Sequence, residues 1–235
     1  MCLTPRLKII ADSIENCKCV ADIGSDHAYL PIYLVKHKKV KKAIATDVNI
    51  GPANNSKKRI QLHGLDNFIV IRVGFGLNVL EKGEAEILVI SGMGGLLIAD
   101  ILKQSLEIAK SAGQLILQPM RDSYLLRKWL VENGFKIIDV EIVKEGNKFY
   151  EIMWVKPYDN VNEPQAINYI DDKLLNKKSL VLKDYIDSKI KEYETIIERV
   201  KAQNTFNSIK RYKECIIVLD YYKEVKECLW QNAEL

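Results

Sequence analysis

Residues 22–31 read Asp22-Ile-Gly24-Ser25-Asp26-His27-Ala-Tyr29-Leu-Pro31, a dense run of side chains able to accept protons and hydrogen bonds. The run follows a short apolar stretch and precedes a helical pattern. Such a turn lets backbone pass close to a ligand, and the free N–H groups of the next helix suit a carboxylate or phosphate. One glycine in such a turn is a weak sign by itself, because tight turns use glycine too. Asp47 ends the next apolar run, about 25 residues downstream, where an acidic side chain accepts hydrogen bonds from ribose hydroxyls. The plainer role for Asp47 is to cap a helix beginning near Pro52.

Three further segments carry the same character: Gly74-Phe75-Gly76-Leu77, Ser91-Gly92-Met93-Gly94-Gly95 and Leu117-Gln118-Pro119-Met120. Each directly follows an apolar run. Ligands of α/β proteins bind outside the carboxyl ends of parallel strands, so the shared location of these loops says more than any one of them.

The elements that must position these loops follow from periodicity. Cys19–Ile23, Ala43–Asp47, Phe68–Val73, Ile87–Ser91 and Leu115–Gln118 read as buried parallel strands. Helical spacing fills Arg6–Cys17, Tyr29–His37, Pro52–His63, Leu96–Ala109 and Ser123–Asn133, with Gly64, Gly113 and Gly134 as stops. The alternation predicts a doubly wound Rossmann-like α/β sheet with right-handed crossovers. Phe135–Val143 and Phe149–Val155 break it, since the five residues between them leave room only for a β-hairpin.

Lys156–Pro164 reads as a linker, which divides the chain into a sheet domain, 1–157, and a second domain, 165–235. In the latter, Leu182, Ile186, Ile190, Tyr193, Ile197 and Val200 step by three and four. Phe206, Ile209, Tyr212, Ile216 and Leu219 resume the spacing after an interruption at Ala202–Thr205. Two long helices joined by a short turn form a helical hairpin or coiled coil.

Composition excludes several classes. Of 235 residues, 48% are hydrophobic and 28% charged, and no apolar run reaches the ~20 residues of a membrane span. No secretion signal is visible at the N-terminus, so the expected location is the cytoplasm. The five cysteines include no C-x-x-C and the three histidines, His27, His37 and His63, show no ligand spacing, so no metal is expected. The net charge of +4 is mild, but Lys36–Lys42 holds five lysines in seven residues and Lys57-Lys58-Arg59 adds three cations. Together with the lysine-rich C-terminal third, these segments suit a phosphate-rich partner, although each alone reads as a solvated helix face.

The loop Asp22–Pro31, Gly92-Met-Gly-Gly95, Leu117-Gln-Pro119 and the helical hairpin together resemble the TrmK family, the bacterial tRNA (adenine-N1)-methyltransferases that modify adenosine 22 of tRNA. The resemblance covers essentially the whole chain. It implies a class I methyltransferase fold, S-adenosylmethionine as cofactor, tRNA as partner and a hairpin that grips RNA. With Asp22 opening the loop, it places Gly24, Ser25, Asp26 and His27 along the methionine end of the cofactor. Asp47 and Val48 would hold its ribose, and Gly74, Phe75 and Gly76 would border its adenine. Gly92, Met93, Gly94 and Gly95 would lie beside the sulfonium and target base, with Tyr29, Gln118 and Pro119 completing the substrate side. Two positions depart from the family pattern: Phe75 stands where aspartate is usual, and Met120 where asparagine is usual after Gln-Pro.

Adenine N1 attacks with an in-plane lone pair, and the charge that develops is relieved by losing a proton from the exocyclic amine. Asp26 is the first candidate acceptor and His27 the second. Their plainer roles are a helix cap and a packed histidine. A monomer is expected, with dimerisation through the hairpin as the alternative. Phe75 and Met120 keep open a non-catalytic RNA-binding relative, and the Rossmann pattern alone would also permit a nicotinamide oxidoreductase.

Overall fold

The computed structural model describes residues 2–158, 167–203 and 205–230. The chain divides into two compact units, residues 1–166 and 167–235. The first begins with helix α1 (Pro5–Ser13) and strand β1 (Cys17–Ile23), followed by a 3-10 turn at Asp26–Ala28 and α2 (Tyr29–Lys36). Then come β2 (Val40–Asp47), α3 (Ile50–Leu62), β3 (Ile69–Val73), β4 (Ile87–Met93) and α4 (Gly95–Gln104). The unit closes with α5 (Leu106–Ser111), β5 (Gln114–Pro119), α6 (Ser123–Glu132), β6 (Phe135–Glu145) and β7 (Lys148–Pro157).

The seven strands lie in the order β3-β2-β1-β4-β5-β7-β6. β1 to β5 are mutually parallel, and β7 runs antiparallel between β5 and β6. The expected Rossmann-like sheet with a terminal hairpin is therefore the architecture. Gly146-Asn147 forms the hairpin's two-residue turn, and Gly146 takes the positive φ of +60° such a turn requires. The chain reverses its direction across the sheet between β1 and β4, the switch point at which α/β sheets open a crevice.

Helices cover both faces because the strands are apolar on both sides. Ile10, Ala11 and Ile14 of the N-terminal segment, Leu30, Ile32 and Leu34 of α2, and Val20, Ala43 and Val89 of the sheet share one core. Two helices end earlier than their periodicity predicts. α1 stops at Ser13 because Ile14 turns extended and Cys17 already pairs with Val40, where a helix through Cys17 was expected. The single helix expected over Leu96–Ala109 is two, α4 and α5. Ser105 breaks it, donating its hydroxyl to Asn78 Oδ1 at 2.5 Å from a non-helical φ of −134°.

The second unit contains α7 (Asp172–Lys177), α8 (Leu180–Lys201) and α9 (Phe206–Trp230). Lys223 pairs with Glu194 at 3.1 Å and Lys226 with Asp187 at 2.7 Å, so partner numbers fall along one helix as they rise along the other. α8 and α9 are therefore antiparallel, as a helical hairpin requires. Ile197, Cys215 and Leu219 form the seam, whereas Ile209, expected on it, is exposed. The expected Tyr212, Ile216 and Leu219 do pack there, and Cys215, Val218 and Tyr222 are buried in addition. Most of the expected linker at 156–164 lies outside the described residues.

Candidate cofactor and active site

Every loop singled out from the sequence emerges at the carboxyl edge of the parallel strands, though the loops differ in how they are held. Asp22 lies near the end of β1 and is buried, accepting a hydrogen bond from the Ser25 hydroxyl. Burial pushes its carboxyl up to about 6, against the pull of that hydroxyl and of the Arg6 charge. Gly24 has a φ of +69°, and a Cβ there would stand 2.2 Å from Met93 Cε, so the first and fourth loops touch at this glycine. The Ser25 N–H donates to the Thr46 carbonyl at 2.7 Å, tying the loop to the end of β2. The Ser25 hydroxyl is thus spent on Asp22, leaving this residue's backbone to line the edge.

His27 and Ala28 both adopt left-handed backbone, φ +63° and +54°, without being glycine. Such residues cost about 1–2 kcal/mol each and concentrate at functional sites. The effect is to turn Asp26 outward. Its side chain is 81% exposed, makes no capping bond and lies 3.3 Å from His27 Nε2. The capping role considered for Asp26 is therefore not the one it plays. Among the described residues His27 Nδ1 is buried without a hydrogen-bond partner, which also sets aside a histidine packed by backbone bonds at that nitrogen.

At the end of β2, Asp47 Oδ1 accepts the Asn49 N–H at 2.8 Å, and Asn49 rather than Asp47 occupies the cap position of α3. The Asp47 carbonyl accepts the Gly74 N–H at 2.9 Å, fastening the third loop to the second. Val48 is exposed, and Phe75 presents an aromatic ring that is 38% exposed. Gly76 has a φ of +57° with Ile101 against it, and Leu77 is buried beneath.

The β4 edge carries a bulge. Ser91 pairs with Gln118 and Met93 with Pro119, leaving Gly92 as the extra residue at φ +78°. Its N–H donates to Gln118 Oε1 at 3.1 Å, and Arg6 Nη1 donates to the same oxygen at 2.8 Å. Gln118 Nε2 donates to the Pro119 carbonyl at 2.9 Å. Gln118 is fully buried with both ends of its amide engaged, so it acts as a strut for the bulge; a role in orienting the target base would require it to exchange these bonds. Gly95 is also a packing residue, since a Cβ would stand 2.6 Å from the Asp122 carbonyl. The Met120 N–H donates to the Met93 carbonyl at 2.7 Å and the Gly95 N–H to Arg121 at 2.9 Å, zipping the fourth and fifth loops together. Gly94 lies against Arg121, and Met120 is exposed.

Tyr29, a candidate for stacking on the target base, already has Arg59 over its ring at 4.4 Å and His27 at 5.7 Å. Arg6 and Thr46 are the positions the sequence reading missed. Arg6 sits in the first turn of a helix that reads only as amphipathic, and no spacing rule joins it to a glutamine 112 residues away.

Residues 3–153 match the family model of a methyltransferase domain. The chain is 34% identical over 230 residues to the tRNA (adenine(22)-N(1))-methyltransferase of Bacillus subtilis (strain 168), covering 95% of this chain and 96% of that one. The crystal structure of the B. subtilis m1A22 tRNA methyltransferase TrmK superposes with a TM-score of 0.84 at 33% identity, covering 96% of this chain and 99% of that one. Sp1610 of Streptococcus pneumoniae, a putative tRNA (m1A22) methyltransferase in complex with S-adenosyl-L-methionine, gives a TM-score of 0.80 at 30% identity over 96% and 100%. With the edge geometry, the hairpin-closed sheet and these matches across nearly its full length, the chain belongs to the TrmK family of tRNA (adenine(22)-N(1))-methyltransferases.

Proposed function

We infer that the protein methylates N1 of adenosine 22 in tRNA with S-adenosylmethionine as donor. The observation that carries this reading is the loop Asp22–Ala28, which exposes the Asp26 carboxylate and meets the Gly92 bulge through Gly24 against Met93, in a chain of this family. The edge fits the cofactor on its own chemistry. Left-handed glycines at 24, 76 and 92 keep side chains out of the approach, Asp47 retains an oxygen for a diol, and Phe75 offers a flat face to a purine. Gly24, Ser25, Asp26 and His27 would border its methionine end, and Asp47, Val48, Gly74, Phe75 and Gly76 its adenosine. Gly92 and Met93 would flank the reacting centre.

Bound there, S-adenosylmethionine supplies a sulfonium methyl group open to attack by a lone pair. The chain's own residues supply alignment and a proton acceptor. Asp26 takes the proton lost from the exocyclic amine, and His27 Nε2, 3.3 Å away, shares it. The Gln118 strut holds the bulge, while Gly94, Gly95 and Pro119 shape the wall against the target base and Tyr29 borders it.

The base must leave its stack before N1 is reachable. Lys36–Lys42, Lys57–Arg59 and the helical hairpin of the second unit supply phosphate contacts, with residues 1–157 as the methyltransferase domain and 165–235 as the tRNA-binding domain. The protein works as a monomer in the cytoplasm. Among the described residues no helix is long and apolar enough to cross a membrane, and no group of three or more His, Cys, Asp or Glu side chains would hold a metal.

The test is methyl incorporation from labelled cofactor into an unmodified tRNA transcript, beside the same transcript carrying guanosine at position 22. Incorporation into the first alone is the expected result. Tight binding of both cofactor and tRNA without incorporation would instead establish the non-catalytic relative suggested by Phe75 and Met120.

A further inference from the structure

Lys36 closes α2, Arg59 sits in the last turn of α3 and His63 caps that helix, which brings three basic side chains to the adjoining ends of two helices. Lys36 Nζ stands 3.1 Å from His63 Nδ1. An ammonium only donates, so the imidazole accepts at Nδ1 and carries its proton on Nε2. Partial burial, with the Lys36 and Arg59 charges beside it, holds the His63 pKa below its usual 6.5 and keeps the ring neutral. The partial negative charge of two helix C-termini offsets some of the repulsion between the cations. Among the described residues, however, none of the three side chains pairs with a carboxylate or donates to a helix-end carbonyl.

Arg59 connects this cluster to the candidate active site. Its guanidinium carbon lies 4.4 Å from the Tyr29 ring centroid, the Tyr29 ring is 5.7 Å from that of His27, and His27 Nε2 is 3.3 Å from Asp26. One turn before Arg59, the Ser56 hydroxyl donates to the Ser25 carbonyl at 3.4 Å, fastening α3 to the loop that carries Asp26. The face of the guanidinium is taken by an aromatic ring and its Nε is buried without a partner, while the two terminal amino groups make no hydrogen bond among the described residues. A stacked guanidinium keeps its in-plane N–H groups for other partners, and two parallel N–H groups match the oxygens of a phosphate. The Lys36 ammonium and the His63 Nε2–H are further donors close by. The complement of this arrangement is an anion with several acceptor oxygens, one side chain away from Tyr29.

We propose that Arg59, His63 and Lys36 seat one backbone phosphate of the RNA strand that carries the target adenosine, at a linkage flanking that nucleotide. The proposal rests on tRNA being the substrate and on Tyr29 bordering the extruded base. Phosphate contacts set the register of a protein on its nucleic acid, and extruding a base turns the backbone on either side of it. A phosphate pinned beside Tyr29 holds the strand in the extruded geometry, so the three cations position the substrate and take no part in the proton transfer.

Synthetic tRNA substrates test this on the full chain. A neutral methylphosphonate replaces the phosphate at each linkage flanking adenosine 22 in turn, built on a deoxyribose, and each RNA is compared with one carrying the same deoxyribose and an ordinary phosphate. Affinity and methyl transfer are measured for the wild type and for Arg59→Gln. At one linkage the wild type is expected to lose about 10- to 100-fold in Kd, the range of a lost charge-assisted contact. Arg59→Gln should show that loss already with the all-phosphate RNA, lose nothing further at that linkage, and bind S-adenosylhomocysteine as the wild type does. Arg59→Lys should recover part of the loss. Lys36→Gln, at an exposed position, should show a smaller loss and a reduced response at the same linkage, and it carries the test if Arg59→Gln does not fold. No sensitive linkage in the wild type, an equal further loss in Arg59→Gln at every linkage, or wild-type affinity in that variant would overturn the seat. A wild-type protein that shows the linkage effect in binding but transfers no methyl group would uphold the seat and overturn the methylation reading, whereas one that binds no RNA would overturn both.

Discussion

The two halves of the carboxyl edge are built on different plans. On the β1–β4–β5 side, polar groups interlock: Asp22 with Ser25, Arg6 with Gln118, Gln118 with the Gly92 bulge, and the fourth loop with the fifth. On the β2–β3 side, Val48, Ile50 and Phe75 are exposed, and among the described residues Asp47 has a single side-chain hydrogen bond. Methyl transfer requires the reacting atoms to be held within a few tenths of an ångström, which fixed hydrogen bonds provide. A nucleoside ring requires mainly area, which apolar side chains provide with less constraint on position.

This contrast is best tested where the interlocked side meets solvent. Asp26→Ala should lower kcat by about 100-fold or more while leaving the melting temperature unchanged, because the carboxylate is exposed and caps nothing. Wild-type turnover in that variant would remove Asp26 as proton acceptor. Next in size is Gly95→Ala. The added Cβ meets backbone rather than a flexible side chain, so stability should fall by about 1–3 kcal/mol in chemical denaturation, with activity falling alongside. A variant as stable as wild type would show that the zipped loops yield easily.

Asp22→Asn probes the buried charge through pH. Because burial raises the folded-state pKa of Asp22 from 3.8 to about 6, the folded protein holds this proton more tightly than the unfolded chain. The resulting stability is fully present below about 4 and is lost as pH rises through 6. Relative to wild type, the ligand-free variant should therefore gain stability between pH 4 and pH 7. Parallel denaturation midpoints across that range would contradict the burial account. The smallest effect belongs to the looser half. Phe75→Asp together with Met120→Asn should shift the KM for the cofactor by less than about tenfold, since exposed side chains there adapt. A larger shift would mean that the β2–β3 side is as tightly specified as the other.

The sheet was legible because parallel strands buried on both faces write themselves as short apolar runs, and Lys144–Lys148 leaves room only for a turn. The site loops were legible for a related reason. Glycines after such runs mark where backbone must pass close to something, and at 24, 76 and 92 the positive φ values agree. The helix break at Ser105 and the seam through Cys215 were not legible, because each depends on a partner far along the chain: Asn78 for the first, α8 for the second.

By itself, then, the amino-acid order determined the sheet, the hairpin-closed topology, the family and the gathering of the candidate loops at one address, the carboxyl edge, all of which rest on local periodicity and contiguous motifs. Only the tertiary structure decided what individual polar groups do within that address. Gln118 sits in a loop that invites a substrate role, yet its amide is buried and holds the bulge. Arg6 sits in a helix that reads as mere packing, yet its guanidinium reaches the switch point. A hydrogen bond between residues 6 and 118 leaves no trace in either segment, because the partner of a polar side chain is chosen by the fold and not by its neighbours in the chain.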